Sequence, residues 1–473
     1  MFSLSDIMQG NDGKIYLRSA ISPDPNTSFR SAQHDSRQVG PGDLFVAIKG
    51  ERVDGHTFIP AVAQAGALGV LCSERATDVP PDFLQFVVPN VGEALVATAR
   101  TRVKRQEGTT MIAITGSNGK TTTKEAVAAV LEQHVPTLKT YSSYNNDLGL
   151  PLTVLRLEPQ HRYAVLEMGA ERVGELTWLC SIVRPDWSIV TNVGFAHLGL
   201  FGSPEHVAMA KSEIVEALPP DGIAILNYDD QKVRAMRQKT QARVMYYGLE
   251  DGAEVRASAI DGDALHGHSF TLSYHDLNLR VQLQLPGKHG IYTALAASSA
   301  GFLAGVSPDA ISTALGSIRT VKGRGEIKRG PNDSKLIDDT YNANPQSVLA
   351  GIDVIYRTEL ARGGKRWAIL GDMLFLEQYA QKEHYDIGQA LVGKVDYLVA
   401  IGDQARYFIE GARKAGMPTD HLYLFEANVE DHSQLEAAKQ AVATLLIEKV
   451  QSNDLLWLKA SNILDLKSLL ASF

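Results

Sequence analysis

A glycine-rich loop in the middle of the chain has the residues needed to bind a phosphate chain. It follows an apolar run at residues 111–114 and precedes a helical pattern, and it consists of Gly116, Ser117, Asn118, Gly119, Lys120, Thr121 and Thr122. Glycines let backbone N–H groups converge on phosphate oxygens, and a helix N-terminus adds a positive dipole. Lys120 can reach the terminal phosphates, and the Thr121 hydroxyl can ligate Mg²⁺. The spacing predicts a shortened phosphate loop, with Ile114 where the full consensus has glycine; the alternative is a glycine turn that happens to precede a helix.

Two further polar residues follow short apolar runs that read as buried strands. Glu167 follows residues 163–166, and His197 follows residues 190–193. Parallel sheets bind their ligands at the carboxyl ends of the strands, so both residues are placed where a ligand would lie. Taken alone, a glutamate or histidine of this kind is more often an ordinary surface residue or a satisfied polar group.

The elements that must position these residues are those of an α/β protein. A chain of 473 residues suggests about three domains. Fully apolar runs such as 367–370 and 397–401 alternate with amphipathic helical patterns, which is typical of doubly wound parallel sheets. Asn344 and Pro345 read as the N-cap and first residue of a helix. We predict domains at residues 1–107, 108–317 and 318–473.

The first boundary lies near a basic run at residues 100–110, which we interpret as a solvated hinge and not as a binding patch. The formal net charge of −8 argues against a nucleic-acid-binding protein. Two cysteines, Cys72 and Cys180, form no disulfide framework and indicate buried thiols in a reducing compartment. The sequence contains no signal peptide pattern and no apolar run of about 18 residues. We therefore expect a cytoplasmic protein without a membrane span.

A series of strings along the chain resembles the Mur ligase family. The loop string TGSNGKTTTKE resembles the family's ATP loop, and HDSRQVGPGDLFVAIKGERVDGHTF resembles its UDP-binding N-terminal domain. The others follow in family order and are YSSYNNDLGLPLTVL, LEMGA, TNVGFAHLGLFGSPEHVAMAKSEI, LPGKHGIYTALAA, GRGE, DDTYNANPQSV and ILGDM. YNANP is typical of the member that adds D-alanyl-D-alanine, whereas the Asp-Asn-Pro-Arg string of the diaminopimelate-adding member is absent.

The resemblance implies three α/β domains, a UDP-substrate domain, a P-loop ATPase domain and a Rossmann-like C-terminal domain. It implies an ATP-dependent ligase that uses Mg²⁺ to join D-alanyl-D-alanine to UDP-N-acetylmuramoyl tripeptide through an acyl phosphate, in peptidoglycan precursor synthesis. We expect a monomer. Whether the third residue of the acceptor peptide is diaminopimelate or lysine stays open.

The resemblance also implies roles for individual residues. Lys120, His197 and Lys211 are the catalytic candidates, with Lys211 a carbamate. The Mg²⁺ candidates are Thr121, Glu167, His197 and the Lys211 carbamate. Arg324 and Asp339 would bind the phosphate end and the ribose of ATP. The candidates for the UDP substrate are Ser36, Arg37, Asp54, Gly55 and His56, and those for the dipeptide are Tyr341, Asn342 and Asn344.

The chain departs from the family pattern at several positions. Gly290 and Thr293 replace an asparagine pair expected near adenine, Asn462 replaces an arginine, and Gly199 stands where a glutamate is common. None of these changes removes a phosphate or metal residue.

Three alternatives remain. One is a folylpolyglutamate synthase, which shares the central and C-terminal domains but not the UDP-type domain or YNANP. Another is a Mur ligase that adds a single amino acid. The third is a non-catalytic nucleotide-binding regulator, which the complete set of candidate phosphate and metal residues disfavours and which measurable ATP turnover would exclude.

Overall fold

The computed structural model describes residues 1–12, 14–19, 22–24, 26–50 and 53–473. Glu51 and Arg52, inside the string that resembles a UDP-binding domain, lie outside the described residues. The N-terminal part builds a sheet in the order β2-β7-β6-β5-β4, parallel except for β2, and a small β1–β3 pair. Its elements are β1 (Phe2–Ser3), α1 (Leu4–Gly10), β2 (Tyr16–Arg18), β3 (Ser28–Phe29), β4 (Ala32–Gln33), β5 (Leu44–Val46), α2 (Ile59–Gln64), β6 (Gly69–Cys72), β7 (Leu84–Val87) and α3 (Val91–Lys104).

The middle part forms a large sheet in the order β16-β15-β14-β13-β12-β11-β8-β10-β9, parallel from β9 to β14. Strand β8 lies between β10 and β11, so loops after these three strands meet at one edge. The elements are β8 (Thr110–Thr115), α4 (Lys120–Leu131), β9 (Thr137–Lys139), α5 (Gly149–Val154), β10 (Tyr163–Glu167), α6 (Glu175–Ile182), β11 (Trp187–Val190), α7 (Leu198–Phe201), α8 (Pro204–Glu216), β12 (Ile223–Asn227), α9 (Gln231–Ala235), β13 (Arg243–Gly248), β14 (Val255–Asp263), β15 (Gly267–Tyr274), β16 (Leu277–Leu283), α10 (Gly287–Leu303) and α11 (Pro308–Ser317).

The C-terminal part forms a sheet in the order β17-β18-β22-β19-β20-β21, parallel except for β17. Its elements are β17 (Glu326–Arg329), β18 (Lys335–Asp339), α12 (Pro345–Arg357), β19 (Arg366–Gly371), α13 (Ala380–Leu391), β20 (Tyr397–Ile401), α14 (Ala405–Lys414), β21 (Leu422–Phe425), α15 (His432–Lys449) and β22 (Leu455–Lys459). The predicted helix start is confirmed, because the Asn344 side chain caps α12 and Pro345 begins it.

Burial on both faces of the sheets explains the continuous apolar runs. In β8, Ile112 and Ile114 pack on one face with α4 and α10, while Met111 and Ala113 belong to the core on the other face. The helices therefore cover both sides of the middle sheet, as doubly wound folds require. The predicted α/β class is confirmed. Among the described residues, no helix is long and apolar enough to cross a membrane.

The interpretation of residues 100–110 as a solvated hinge is wrong for the helical part of this run, although Lys104 and Arg105 are exposed. Helix α3 continues to Lys104, and Arg102 is only 8% exposed because its guanidinium donates to the carbonyl of Leu157. Arg105 binds Asp6, a fully buried carboxylate in α1. These cations pair with buried acceptors, so the basic run fixes the N-terminal helix against the domain boundary.

Candidate active site

The predicted phosphate loop joins β8 to α4. Gly116 has φ 148° and Gly119 has φ 80°, both in the left-handed region that side chains disfavour. A side chain at Gly116 would also overlap the Thr191 hydroxyl. Lys120, the first residue of α4, folds back and donates to the Gly116 carbonyl (Nζ–O, 2.7 Å). The glycines therefore let the loop lie close against its neighbour.

Residues after β11 hold this loop in place. The Ser117 N–H donates to the Asn192 carbonyl at 3.0 Å, and the Asn118 N–H donates to Asn192 Oδ1 at 3.0 Å. Ser117 Oγ also accepts from the Gly194 N–H at 2.8 Å. The Thr191 hydroxyl donates to the Asn118 carbonyl. The loop is thus preformed by hydrogen bonds to the adjacent strand.

Glu167 ends β10, next to β8, and is 1% exposed. One carboxylate oxygen accepts from Asn145 Nδ2 at 2.8 Å, but the other, Oε2, is buried without a hydrogen-bond partner. Buried carboxylate oxygens are rarely left unpaired, so this atom is suited to a missing ligand. Burial lowers the pKa of Lys120, and the nearby Glu167 carboxylate opposes that shift.

His197 precedes α7 with a left-handed backbone, φ 56°. Its Nδ1 is buried without a hydrogen bond and lies 3.6 Å from Glu171 Oε1. Burial, then the charges of Lys120 and Lys211, lowers the pKa of His197 to about 4. At neutral pH the imidazole is therefore uncharged, the form that binds metals.

Lys211 lies on α8 and is 3% exposed, with Nζ 3.2 Å from the Ala170 carbonyl. Burial and then the charge of Lys120 lower its pKa to about 7, while Glu175, Glu213 and Glu171 act in the opposite direction. A large fraction of this amine is therefore neutral and nucleophilic near pH 7. A helix lysine is usually solvated, and this one is not.

Lys120, His197 and Lys211 line a cavity of about 420 Å³ beside the phosphate loop, which we call the reaction-side cavity. Three carboxylates also line it, and one of them, Glu171, lies 3.6 Å from His197. The lining includes Lys120, His197, Lys211, Asp147, Glu171, Glu175, Asn145, Asn146, Trp178 and Ala170.

A second cavity, about 660 Å³, lies between the middle and C-terminal parts of the chain. Arg324 reaches across it, with Nη2 3.1 Å from Thr121 Oγ1 and its guanidinium 3.9 Å from the centre of the Tyr341 ring. The Tyr341 hydroxyl donates to Ser143 Oγ at 2.7 Å. These contacts join the C-terminal candidates to the loop of the middle sheet.

The other C-terminal candidates line the same cavity. Asn344 donates from Nδ2 to Asn118 Oδ1 at 2.7 Å, in addition to capping α12. Asp339 accepts from Lys459 Nζ at 2.6 Å, and the same ammonium donates to the Asn342 carbonyl at 3.0 Å. Asp339 and Asn342 therefore lie together at the ends of β18 and β22.

Two family departures have local structural reasons. A Cβ at Gly290 would lie 2.8 Å from Leu285 Cβ, so a larger side chain there does not fit this pocket. A side chain at Gly199 would overlap Glu377 of the C-terminal part. Gly290 and Thr293 both line the larger cavity, whereas Asn462 is exposed and lines neither.

The candidates for the UDP substrate line neither of the two cavities. Arg37 has an 87% exposed side chain and pairs with Asp35, and that pairing lowers the pKa of Asp35 to about 2. Asp54 accepts from the backbone N–H and Nδ1 of His56, and His56 Nε2 accepts from the Ser73 N–H at 3.0 Å. The complete candidate group is Ser36, Arg37, Asp54, Gly55 and His56.

The remaining members of the phosphate loop, Gly119 and Thr122, line the larger cavity with Lys120. Sequence reasoning assigned no role to Asn145, Glu171 or Lys124. Asn145 orients Glu167, and Glu171 lies beside His197. Lys124 is fully buried and donates to the carbonyls of Thr140 and Ser142. The sequence contained one signal for Lys124, which is its position one helical turn after Lys120.

The chain is similar to known proteins along most of its length. Sequence models of the Mur ligase family catalytic domain, the Mur ligase middle domain and the Mur ligase glutamate ligase domain match residues 29–138, 114–301 and 323–462. The UDP-N-acetylmuramoyl-tripeptide–D-alanyl-D-alanine ligase of Escherichia coli is 36% identical over 88% of this chain and 90% of its own. The ligase of the same name from Mycobacterium tuberculosis is 35% identical over 91% and 89%.

Solved structures are similar over nearly the whole chain. A crystal structure of MurF from Acinetobacter baumannii superposes with a TM-score of 0.83 at 30% identity, covering 99% of this chain and 98% of the other. MurF ligase from Thermotoga maritima in complex with ADP gives a TM-score of 0.76 at 26% identity, covering 94% and 97%.

Proposed function

The chain belongs to the Mur ligase family, and from that premise we infer that it joins D-alanyl-D-alanine to UDP-N-acetylmuramoyl tripeptide at the expense of ATP. This reaction is a step of peptidoglycan synthesis. The observation that carries the inference is similarity to ligases of that name over about nine-tenths of both chains. The candidate loop, Glu167, His197 and Lys211 provide chemistry consistent with it.

The first step is the activation of the acceptor carboxylate. A carboxylate is a poor electrophile, so the γ-phosphoryl group of ATP is transferred to it, giving an acyl phosphate and ADP. Both reactants are anions, so cations must offset their repulsion and the charge that develops on the β–γ bridge. Lys120 has this role because it lines both cavities beside the loop. Arg324, which contacts Thr121, adds charge from the opposite domain.

The residues present fit a magnesium ion at the edge of the sheet. Glu167 Oε2 and His197 Nδ1 are buried without hydrogen-bond partners, and both residues line the larger cavity with Thr121. Carboxylate and hydroxyl oxygens, such as those of Glu167 and Thr121, are the kind of ligand that Mg²⁺ prefers. When bound, the ion supplies positive charge to the phosphates. Glu167 and Thr121 would hold it at the ATP side.

Lys211 is proposed to act as a carbamate. The neutral amine adds to CO₂ and loses a proton, so that the cation becomes an anionic oxygen ligand. Burial and the lowered pKa of Lys211, about 7, favour the neutral amine that this reaction needs. His197 lines the same cavity and would complete a second metal site with the carbamate oxygens.

The second step is the attack of the dipeptide amine on the acyl phosphate, which forms the amide and releases phosphate. Tyr341, Asn342 and Asn344 are proposed to hold the dipeptide, because they line the larger cavity close to the phosphate loop. Asp339 is proposed to bind the ribose and Arg324 the phosphate end of ATP. The UDP moiety is assigned to Ser36, Arg37, Asp54, Gly55 and His56 by resemblance.

We propose that the chain has three domains, at residues 1–107, 108–317 and 318–473. We propose that the chain acts as a monomer, since one chain lines both cavities. ATP and UDP-linked precursors are cytoplasmic compounds, so the proposed location is the cytoplasm.

Release of ADP with pairs of substrates tests this function. Turnover should require UDP-N-acetylmuramoyl tripeptide and D-alanyl-D-alanine together, with the pentapeptide product identified by mass. D-Alanine alone should be a poor amine, because it lacks the second residue that helps to position the attacking nitrogen. Two control pairs are the dipeptide-level acceptor with diaminopimelate or lysine, and a folate with glutamate. If either control matched the proposed pair, the substrate assignment would be wrong.

A further inference from the structure

One loop of the C-terminal domain lies directly on the reaction side of the middle domain. This loop, residues 373–379, follows β19 and precedes α13. The Phe375 ring stacks on the His197 ring, with centroids 5.6 Å apart and planes inclined by 30°. The Phe375 carbonyl accepts from the Gly199 N–H at 2.9 Å, and the Tyr379 hydroxyl donates to the Gly202 carbonyl at 3.2 Å. The loop thus contacts both ends of α7.

The loop adopts a backbone that side chains disfavour. Phe375 has φ 63° and Glu377 has φ 46°, both in the left-handed region. Between them Leu376 is 1% exposed and belongs to a buried cluster that also contains Leu198 and Phe201 of α7. Packing of Leu376 therefore holds a conformation that turns Phe375 outward, toward His197.

Gly199 makes this close approach possible. A Cβ at residue 199 would lie 2.9 Å from the Phe375 carbonyl oxygen and would overlap the Glu377 side chain. Any larger residue would force the loop away from α7. The fit between Gly199 and the loop is therefore specific to the closed arrangement of the two domains.

The His197 ring has little else to orient it. Among the described residues, Nδ1 has no hydrogen-bond partner, and the nearest acidic atom, Glu171 Oε1, is 3.6 Å away. In the part of the chain that the structure describes, the stacked Phe375 ring is a contact that constrains the plane of the His197 ring. Because Phe375 belongs to the other domain, this contact is lost whenever the domains separate.

We propose that residues 373–379 form a latch on α7, in which Phe375 is a positioning residue for His197 and Gly199 is the seat. Docking of the latch holds in place α7, whose preceding residues Ala196 and His197 line the reaction-side cavity, and orients His197 in the same movement. This inference rests on the proposed ligase reaction, whose acyl phosphate is destroyed if water enters before the amine. The latch therefore protects the intermediate as well as setting the rate.

The coupling ratio, ADP released per amide bond formed, tests the latch. Phe375→Ala and Gly199→Ala should raise this ratio above one and lower kcat by roughly ten- to a hundredfold, with the KM for ATP changed much less. Phe375→Tyr should keep the ratio near one, because it retains the stacking ring. Tyr356→Ala, at another exposed aromatic, and Gly316→Ala, at a helical glycine with room for a methyl group, are matched controls that should behave as wild type.

A ratio that stays at one in both variants would overturn the proposal, as would equal effects in the control variants. Thermal unfolding of each variant verifies that it is folded. Hydrogen exchange gives a readout that does not depend on turnover or on the identity of the amine and its acceptor. Residues 196–202 and 373–379 should become protected together when an ATP analogue binds, and Gly199→Ala should remove that joint protection. Protection of one segment without the other would contradict the latch even if the substrate assignment were wrong.

Discussion

Removing CO₂ should inactivate the enzyme reversibly if Lys211 works as a carbamate. Carbamylation needs the neutral amine, and Lys211 has a pKa of about 7 against an ordinary 10.5. At pH 7 roughly half of the Lys211 amines are then neutral, compared with about 0.03% of ordinary lysines. The burial of this side chain thus increases the reactive form by about three orders of magnitude.

The assay follows ADP release in degassed buffer under argon, before and after the addition of bicarbonate. Activity should fall as CO₂ is removed and return within the time of bicarbonate equilibration. Lys211→Ala should be inactive with or without bicarbonate, and acetate should restore part of its activity by supplying a carboxylate in the vacated space. ¹³C-bicarbonate should give a carbamate carbon signal in the wild type that the variant lacks.

Two results would refute this reasoning. Full activity in CO₂-free buffer would exclude the carbamate as a required group. Failure of acetate to restore Lys211→Ala, together with wild-type activity that does not depend on bicarbonate, would point instead to loss of a positive charge as the reason why the variant fails. Lys124→Ala is not a suitable control, because that lysine is also buried and orders a loop beside the cavity.

Further predictions concern the phosphate loop, stability and the domain contact. Lys120→Ala should fold normally and lose at least a hundredfold in turnover, about 2.7 kcal/mol, measured by steady-state kinetics and circular dichroism. In CO₂-free buffer, Lys211 of the folded protein loses its proton above about pH 7, whereas Lys211 of the unfolded chain keeps its proton up to about pH 10.5. The free energy of unfolding should therefore rise with pH between these two values. Lys211→Met should abolish that rise in denaturant titrations; an unchanged slope would contradict the lowered pKa. Asn344→Ala should lower the free energy of unfolding by about 1 kcal/mol, because the helix cap is lost. A double-mutant cycle of Asn344→Ala and Asn118→Ala should show coupling between the two residues in their effect on ATP affinity, because their side chains are hydrogen-bonded.

The local chemistry of the phosphate loop could be predicted from sequence because it depends on nearby residues. The apolar run, the left-handed glycines, Lys120 and the helix start all lie within about twenty residues of one another. The helix cap at Asn344 is equally local, since the cap and Pro345 are adjacent. Glu167 was placed at a strand end by the apolar run before it, and the structure puts it there.

Burial across domains could not be predicted in this way. A lysine in a helical pattern is normally solvated, whereas Lys211 is buried, with its Nζ against the Ala170 carbonyl and 5.4 Å from the centre of the Phe201 ring. The charges of Arg102 and Arg105 suggested solvent, but their partner Asp6 lies about a hundred residues earlier in the chain. The stacking of Phe375 on His197 joins two domains and leaves no periodic signal in either segment.

Oxygen transfer from the acceptor to phosphate tests the central claim most directly. UDP-N-acetylmuramoyl tripeptide labelled with ¹⁸O in its terminal carboxylate is turned over with ATP and D-alanyl-D-alanine. If the γ-phosphoryl group is transferred to this carboxylate, the released phosphate carries one ¹⁸O and the new amide keeps the other. Phosphate without label, from a reaction that still forms the amide, would contradict the acyl-phosphate route and the roles assigned to Lys120 and its neighbours.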